Sequence, residues 1–476
     1  MKVEMSKYLS NQKPLLAELI DILSNDFKYA SVLAVDSKGT SYGVGRTGCQ
    51  IGDSMLTERG YVVRVFNGVN YSEYSFNDLN EVILPEIVSS IKKVVINDVK
   101  QLKDGNVEFN DYPVIEDSEV EKTHFGEVGK ALDSMTTKEK IDYLTELQQV
   151  GIKLHELIIE FRTSYEEVHI SKIFYSTNKK LEQSYIFTNA SMVAVVNREG
   201  NVKYSFDSFS GLKGVEVLDE LKGKQQSVVD KAVELLDAEK VIPGEYEIIC
   251  DPAVSGLIAH EAFGHGVEMD MFVKNRAKGA EYIDKRVGSD KTTMHDGALS
   301  AEEVGTYLFD DEGTFGTDTK VIEDGILRAG ISDILSALKL GTTPTGNGRR
   351  ESFERKAYAR MTNTFFAPGN DKLEEMIASV EDGYLLEDYN SGMEDPKNWG
   401  IQCMIAKGRE IKNGKLTGKL VAPILMTGYV PDLLNSISMV SDGLELSGSG
   451  FCGKGHKEWV KTSTGGTYIK CRGRLG

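Results

Sequence analysis

Between residues 167 and 210 the chain alternates apolar and polar side chains through four runs, EVHISKIFYS, QSYIFTN, SMVAVVNREG and NVKYSFDSFS. A period of two sends one face of each run to a core and the other toward water, which is strand geometry. Turn residues separate the runs, with Arg198-Glu199-Gly200-Asn201 as one turn, so the set predicts an antiparallel meander. Such a sheet must bury its apolar face against another layer. Helical patterns can supply that layer. One covers about 15–23 and another about 77–93. A third opens with the capping-box pattern Thr136-x-x-Glu139, followed by an apolar stripe at Ile141, Leu144, Leu147, Leu154, Leu157, Ile158 and Phe161. A fourth covers about 226–238. Further strand-like runs, SVLAVD, TSYGVG, YVVRVF and YSEYSF, precede the meander, the last two flanking the hairpin dipeptide Asn67-Gly68.

Helices and strands mix without βαβ regularity, so the expected class is α+β, with an N-terminal mixed sheet-and-helix region and a strand-rich C-terminal domain. With 476 residues the chain is too long for one small core. Three segments are expected: an α+β segment over 1–110, a helix plus meander over 111–240, and a C-terminal domain over 241–476. Periodicity is lost over 101–123, which predicts a linker or long loop. In the last segment, YEIICD is a buried-strand candidate, VIEDGILRAG a hairpin, and IQCMIAKG and KLVAPILM further strands. The 47 glycines of the whole chain, against 10 prolines, fit a protein rich in turns and hairpins.

A formal net charge of −18 argues against nucleic acid as a partner, since phosphate neutralisation needs a basic face. Five scattered cysteines, an odd number, are not a disulfide framework and fit a reducing compartment. The opening residues MKVEMSKYLSNQKPLL lack the apolar core of a signal peptide, and no apolar run is long enough to span a bilayer. A cytoplasmic location without membrane association is expected.

The chemistry concentrates at 260–265, HEAFGH. Asp251-Pro252 is a helix start, and Ala253, Val254, Leu257 and Ile258 give the helix an apolar face. Zinc favours neutral imidazole nitrogens, and an adjacent glutamate can take a proton from water. His260 and His265 are thus candidate ligands and Glu261 a candidate general base. Their spacing is awkward. On a regular α-helix, positions five apart differ by about 140° around the axis, so two such imidazoles cannot share one ion. Either a π-like turn occurs here or the helix ends at Gly264 and swings His265 back. The bland alternative is a helix carrying two unrelated histidines. A third ligand is not evident from this segment; Glu268, Asp270, His295, Cys452 and His456 are candidates.

HEAFGHGVEMD, DDEGT at 310–314, PTGNGRRES at 344–352, RMTNT at 360–364 and FCGKG at 451–455, in that order and spacing, resemble the TldD branch of the TldD/PmbA metallopeptidases. The likeness is dense over about 241–460 and looser before it, where the VRVFNG run at 63–68 matches best. The resemblance implies a zinc ion held by His260, His265 and Cys452, with Glu261 as the base. It implies peptidase activity on short or unfolded peptides with low sequence specificity. It further implies a homodimer, or a heterodimer with a homologous subunit lacking the metal motif. After CGKG the chain reads HKEWV, where relatives commonly carry a glutamine and an apolar run, so the last loop departs from the pattern. Arg350, Arg360 and Asn363, on the shared motifs, are candidate substrate contacts; Arg349 and Tyr307 are further oxyanion donors to consider. Asp270 is a candidate to orient a ligand histidine. Two other functions fit the same sequence: a non-catalytic partner or regulatory subunit, against which the intact Glu261 speaks, and a metal-dependent amidohydrolase acting on a small molecule.

Overall fold

A computed structural model describes residues 1–105 and 111–476. The N-terminal elements are α1 (Lys7–Ser24), β1 (Ala30–Gly45), β2 (Gly48–Asp53), β3 (Glu58–Phe66), β4 (Tyr71–Phe76), α2 (Leu84–Asp104), β5 (Val120–Phe125), α3 (Thr137–Gly151), β6 (Ile158–Ser176), β7 (Lys179–Arg198), β8 (Asn201–Gly211) and α4 (Gln225–Glu234). Their strands form one sheet in the order β4-β3-β1-β6-β7-β5, with β2 also on β1 and β8 also on β7. The pairings are antiparallel apart from β5, which runs parallel to β7.

The period of two in β1 sorts its side chains onto two layers. Val32 and Ala34 pack with Leu16, Leu19 and Leu23 of α1 and Ile87 and Ile91 of α2. Further along the same face, Tyr42 and Val44 meet Leu144 and Leu147 of α3. The opposite face, through Leu33 and Val35, packs on Phe309 of the C-terminal half. The sheet is therefore a middle layer between helices and the C-terminal half. The capping box at Thr136 is present, with both reciprocal hydrogen bonds formed.

Three expectations change here. Segments 1–110 and 111–240 are not separate, because β6 pairs along 14 residues of β1 and their strands interleave in one sheet. The meander has three strands, not four: QSYIFTN and SMVAVVNREG are one continuous 20-residue strand. The expected linker shrinks, since α2 runs to Asp104 and β5 begins at Val120; residues 106–110 of that stretch lie outside the described residues.

In the C-terminal half, β9 (Gly244–Cys250) is flanked by Asp382–Asp395 and Ile469–Leu475. Pairing continues through Ile424–Tyr429 and Gly400–Lys412, and the last pairs back with Asp382–Asp395, so five strands close into a barrel. VIEDGILRAG forms the expected hairpin, with Asp324 and Gly325 in left-handed conformation at its turn. The helix α5 (Pro252–Ile258) follows β9 directly and packs Val254, Leu257 and Ile258 into the same core as the barrel residues Ile248, Cys403 and Ile405. Among the described residues no helix is long and apolar enough to cross a membrane.

Candidate metal centre

The site grows from the end of β9. Asp251 caps α5 by accepting the Val254 N–H at 2.7 Å, and Pro252 occupies the first turn. After Ile258 the helix widens into a π turn, Ala259–Gly264, in which the His265 N–H donates to the His260 carbonyl five residues back. The extra residue in that turn rotates His265 onto the side of His260. The two rings stand 5.3 Å apart between centroids and nearly perpendicular, at 86°. The distortion expected from the spacing is this π turn rather than a helix end at Gly264. Gly264 itself has ordinary helical angles, φ −61° and ψ −63°. A glycine is needed there because a Cβ would sit 2.0 Å from Met361 Sδ.

Cys452 arrives from a hairpin of Phe451–Lys454 with Lys457–Lys461. Its Sγ lies 3.1 Å from His260 Nε2 and 3.3 Å from His265 Nε2. All three donor atoms fall within 4.8 Å of one another. Zinc–nitrogen and zinc–sulfur bonds of about 2.0–2.3 Å put tetrahedral donors roughly 3.5 Å apart, so the three atoms fit one ion. Two imidazoles and a thiolate suit zinc, and three protein donors leave a fourth position for water or substrate.

Charge around the donors is arranged to hold the thiolate. Burial opposes ionisation of Cys452, but His260 and His265 outweigh it and hold the thiol well below its usual value. Burial likewise opposes protonation of both histidines, and the Cys452 charge beside them raises both. Behind His265, the buried Glu268 carboxylate lies 3.4 Å from Nδ1, 3.2 Å from Arg360 Nε and 2.9 Å from Lys454 Nζ. Against its burial, Lys454 and His265 hold Glu268 below the ordinary carboxylate range. His260 Nδ1 has no protein partner. Glu261 lies against Gly392, where a Cβ would come within 2.5 Å of its Cγ.

These residues open onto a cavity of about 750 Å³, whose wall includes His260, Glu261, Tyr389, Glu394, Phe451 and Trp459. Glu394 is the residue least expected from sequence. Both its carboxylate oxygens are buried without a hydrogen-bond partner, and burial pushes its carboxyl well above the usual range. It sits near the end of the strand Asp382–Asp395, far along the chain from the histidine segment, with no local motif to mark it.

The three candidate substrate contacts are turned to protein partners. Arg360 is fully buried and aims at Glu268, the Glu458 carbonyl and Cys452 Sγ, the last at 3.0 Å, which leaves no face for a substrate. Arg350 pairs with Glu73 of β4 at 2.5 Å. Asn363 donates to the Gly297 and Ala301 carbonyls and accepts from Ser463. Arg349 donates through Nη1 to the Met361 carbonyl, and the Tyr307 hydroxyl donates to the Gly346 carbonyl. Asp270 binds Lys454 and Lys274, and the residue beside a histidine is Glu268 instead. Among the other ligand candidates, His295 pairs with Asp318 and His456 is exposed in the hairpin turn.

Residues 243–471 match a family profile described as the PmbA/TldA metallopeptidase C-terminal domain. The chain is 30% identical to a metalloprotease of Methanocaldococcus jannaschii over 66% of its own length and 69% of that protein's. It is 29% identical to a zinc metalloprotease TldD homolog of Saccharolobus solfataricus, covering 72% and 77% of the two chains. A TldD homolog of Haemophilus influenzae aligns at 26% identity over 92% and 91%. Among solved structures, a Thermotoga maritima protein superposes with a TM-score of 0.75 at 17% identity, over 98% of this chain and 100% of that one. TldE from Thermococcus kodakarensis does so at 0.70 and 18%, over 97% and 99%. At these identities the two structures establish the shared fold.

Proposed function

The chain belongs to the PmbA/TldD metallopeptidase family, and from that premise we propose that it is a zinc-dependent peptidase acting on short or unfolded peptides with little sequence preference. The observation that carries this reading is the convergence of His260, His265 and Cys452 beside Glu261 in one cavity. In it, the three residues hold the ion, and Arg360 and Glu268 keep Cys452 and His265 in place from behind. When bound, zinc supplies a Lewis acid that polarises a carbonyl and acidifies water. Glu261 takes the proton of the attacking water and returns it to the departing amine. Low sequence preference is supported by the small residues Ser391, Gly392, Gly450 and Gly453, which leave backbone groups within reach of a peptide in a wall that also carries Tyr389, Phe451 and Trp459.

The test is hydrolysis of a fluorogenic peptide by the untreated protein, the chelated protein and Glu261→Gln. Activity is expected in the first sample and, with zinc, restored in the second. Equal rates in all three would overturn the reading.

A further inference from the structure

We propose that Glu394 accepts the N-terminal ammonium of the substrate peptide, so that cleavage falls near the substrate's N-terminus. The inference rests on the peptidase reading above and adds the end of the peptide that the site recognises.

Three carboxylates, Glu261, Glu268 and Glu394, line the cavity beside the donor cluster, and Glu268 is taken up by His265, Arg360 and Lys454. The cations of the site are already committed. Arg360 is held by Glu268 and Cys452, and Lys454 by Glu268 and Asp270. Among the described residues neither Glu261 nor Glu394 makes an ion pair. Glu261 has its proton-transfer task, which leaves Glu394 without one. Both Glu394 oxygens are buried with no protein donor. A buried carboxyl left in that state is costly, and a charged hydrogen bond to a ligand removes the cost.

The donor that fits must be cationic, carry several N–H bonds, and be present whatever the peptide sequence. An α-ammonium meets all three conditions, whereas a lysine or arginine side chain would impose a sequence requirement. A cavity of about 750 Å³ lies in the range that encloses small ligands, so an ammonium held on its wall keeps the first few residues near Glu261.

The experiment compares a short peptide lacking Lys and Arg, with a free or an acetylated N-terminus. Binding to the zinc-free protein is measured by calorimetry, and products of the zinc-loaded protein by mass spectrometry. The free peptide is expected to bind at least about tenfold tighter than the acetylated one. Glu394→Gln, which keeps the side-chain shape, should reduce that preference to within about twofold while leaving the melting temperature near that of the wild type. The zinc-loaded wild type should release small N-terminal fragments first. Equal binding of the two peptides by the wild type, or an undiminished preference in Glu394→Gln, overturns the assignment. An acetylated peptide with one internal lysine is the third ligand, and tighter binding of it than of the free lysine-less peptide overturns the assignment in favour of a side-chain pocket. Absence of hydrolysis of either peptide would instead defeat the peptidase reading, and the binding comparison would still decide the role of Glu394.

Discussion

Cys452 meets two imidazoles and a guanidinium within 3.3 Å, and that company separates it from the chain's other cysteines. Cys403, buried in the barrel core, has its thiol pushed up by burial, so it packs as a small apolar group. Cys452→Ser should weaken zinc retention at least about tenfold, read by metal analysis after dialysis. Glu261→Gln should instead keep its zinc and lose roughly 10²–10⁴-fold in hydrolysis. The pair of variants separates holding the metal from using it. Arg360→Leu belongs with them: Glu268 loses one of its cations inside the fold, and a loss of about 3–5 kcal/mol in denaturation is expected.

At the scale of elements, the π turn is what converts an unusable histidine spacing into a site. It is locked by packing, so Gly264→Ala should force Met361 aside and cost about 1–3 kcal/mol, with zinc retention falling in parallel. A second element-scale contact sets a pH dependence. Glu58, opening β3, accepts the Phe353 N–H at 2.8 Å from the C-terminal half. Burial raises its carboxyl from the ordinary 4.5 to about 7. The raised value means the folded state holds the proton longer than the unfolded chain. That contribution is complete below pH 4.5 and is lost as pH rises through 7. Glu58→Gln should therefore match the wild type near pH 4.5 and exceed it above pH 7, by on the order of 3 kcal/mol. Melting temperatures across that range decide it.

Across the whole molecule, the two halves are joined by buried ion pairs. Arg350 binds Glu73, Arg64 binds Glu312 at 2.5 Å, and Lys172 binds Asp311. The DDEGT and GRRES segments thus fasten the C-terminal half to the N-terminal sheet. Arg350→Ala leaves Glu73 with Arg64 alone as its cation. A cost of about 3–5 kcal/mol is expected in chemical denaturation, while the remaining folded protein keeps its zinc. Loss of peptide hydrolysis without loss of stability would return Arg350 to the substrate contacts.

What the sequence determined by itself was local or repeated: the period of two that made strands, the capping box at Thr136, the Asp251-Pro252 helix start, and the histidine spacing that required a wider turn. Each depends on neighbours along the chain, so each is written in a short window. Ordered motifs extended that reach to Cys452. The tertiary structure alone decided which charged motif residues were structural, since Arg350, Arg360 and Asn363 look like surface donors until their partners are known. It alone merged the first two segments into one sheet, because strand pairing between β1 and β6 leaves no local trace. It also brought Glu268 behind His265 and Glu394 to the cavity wall. A carboxylate's role is set by what surrounds it, and those surroundings come from distant parts of the chain.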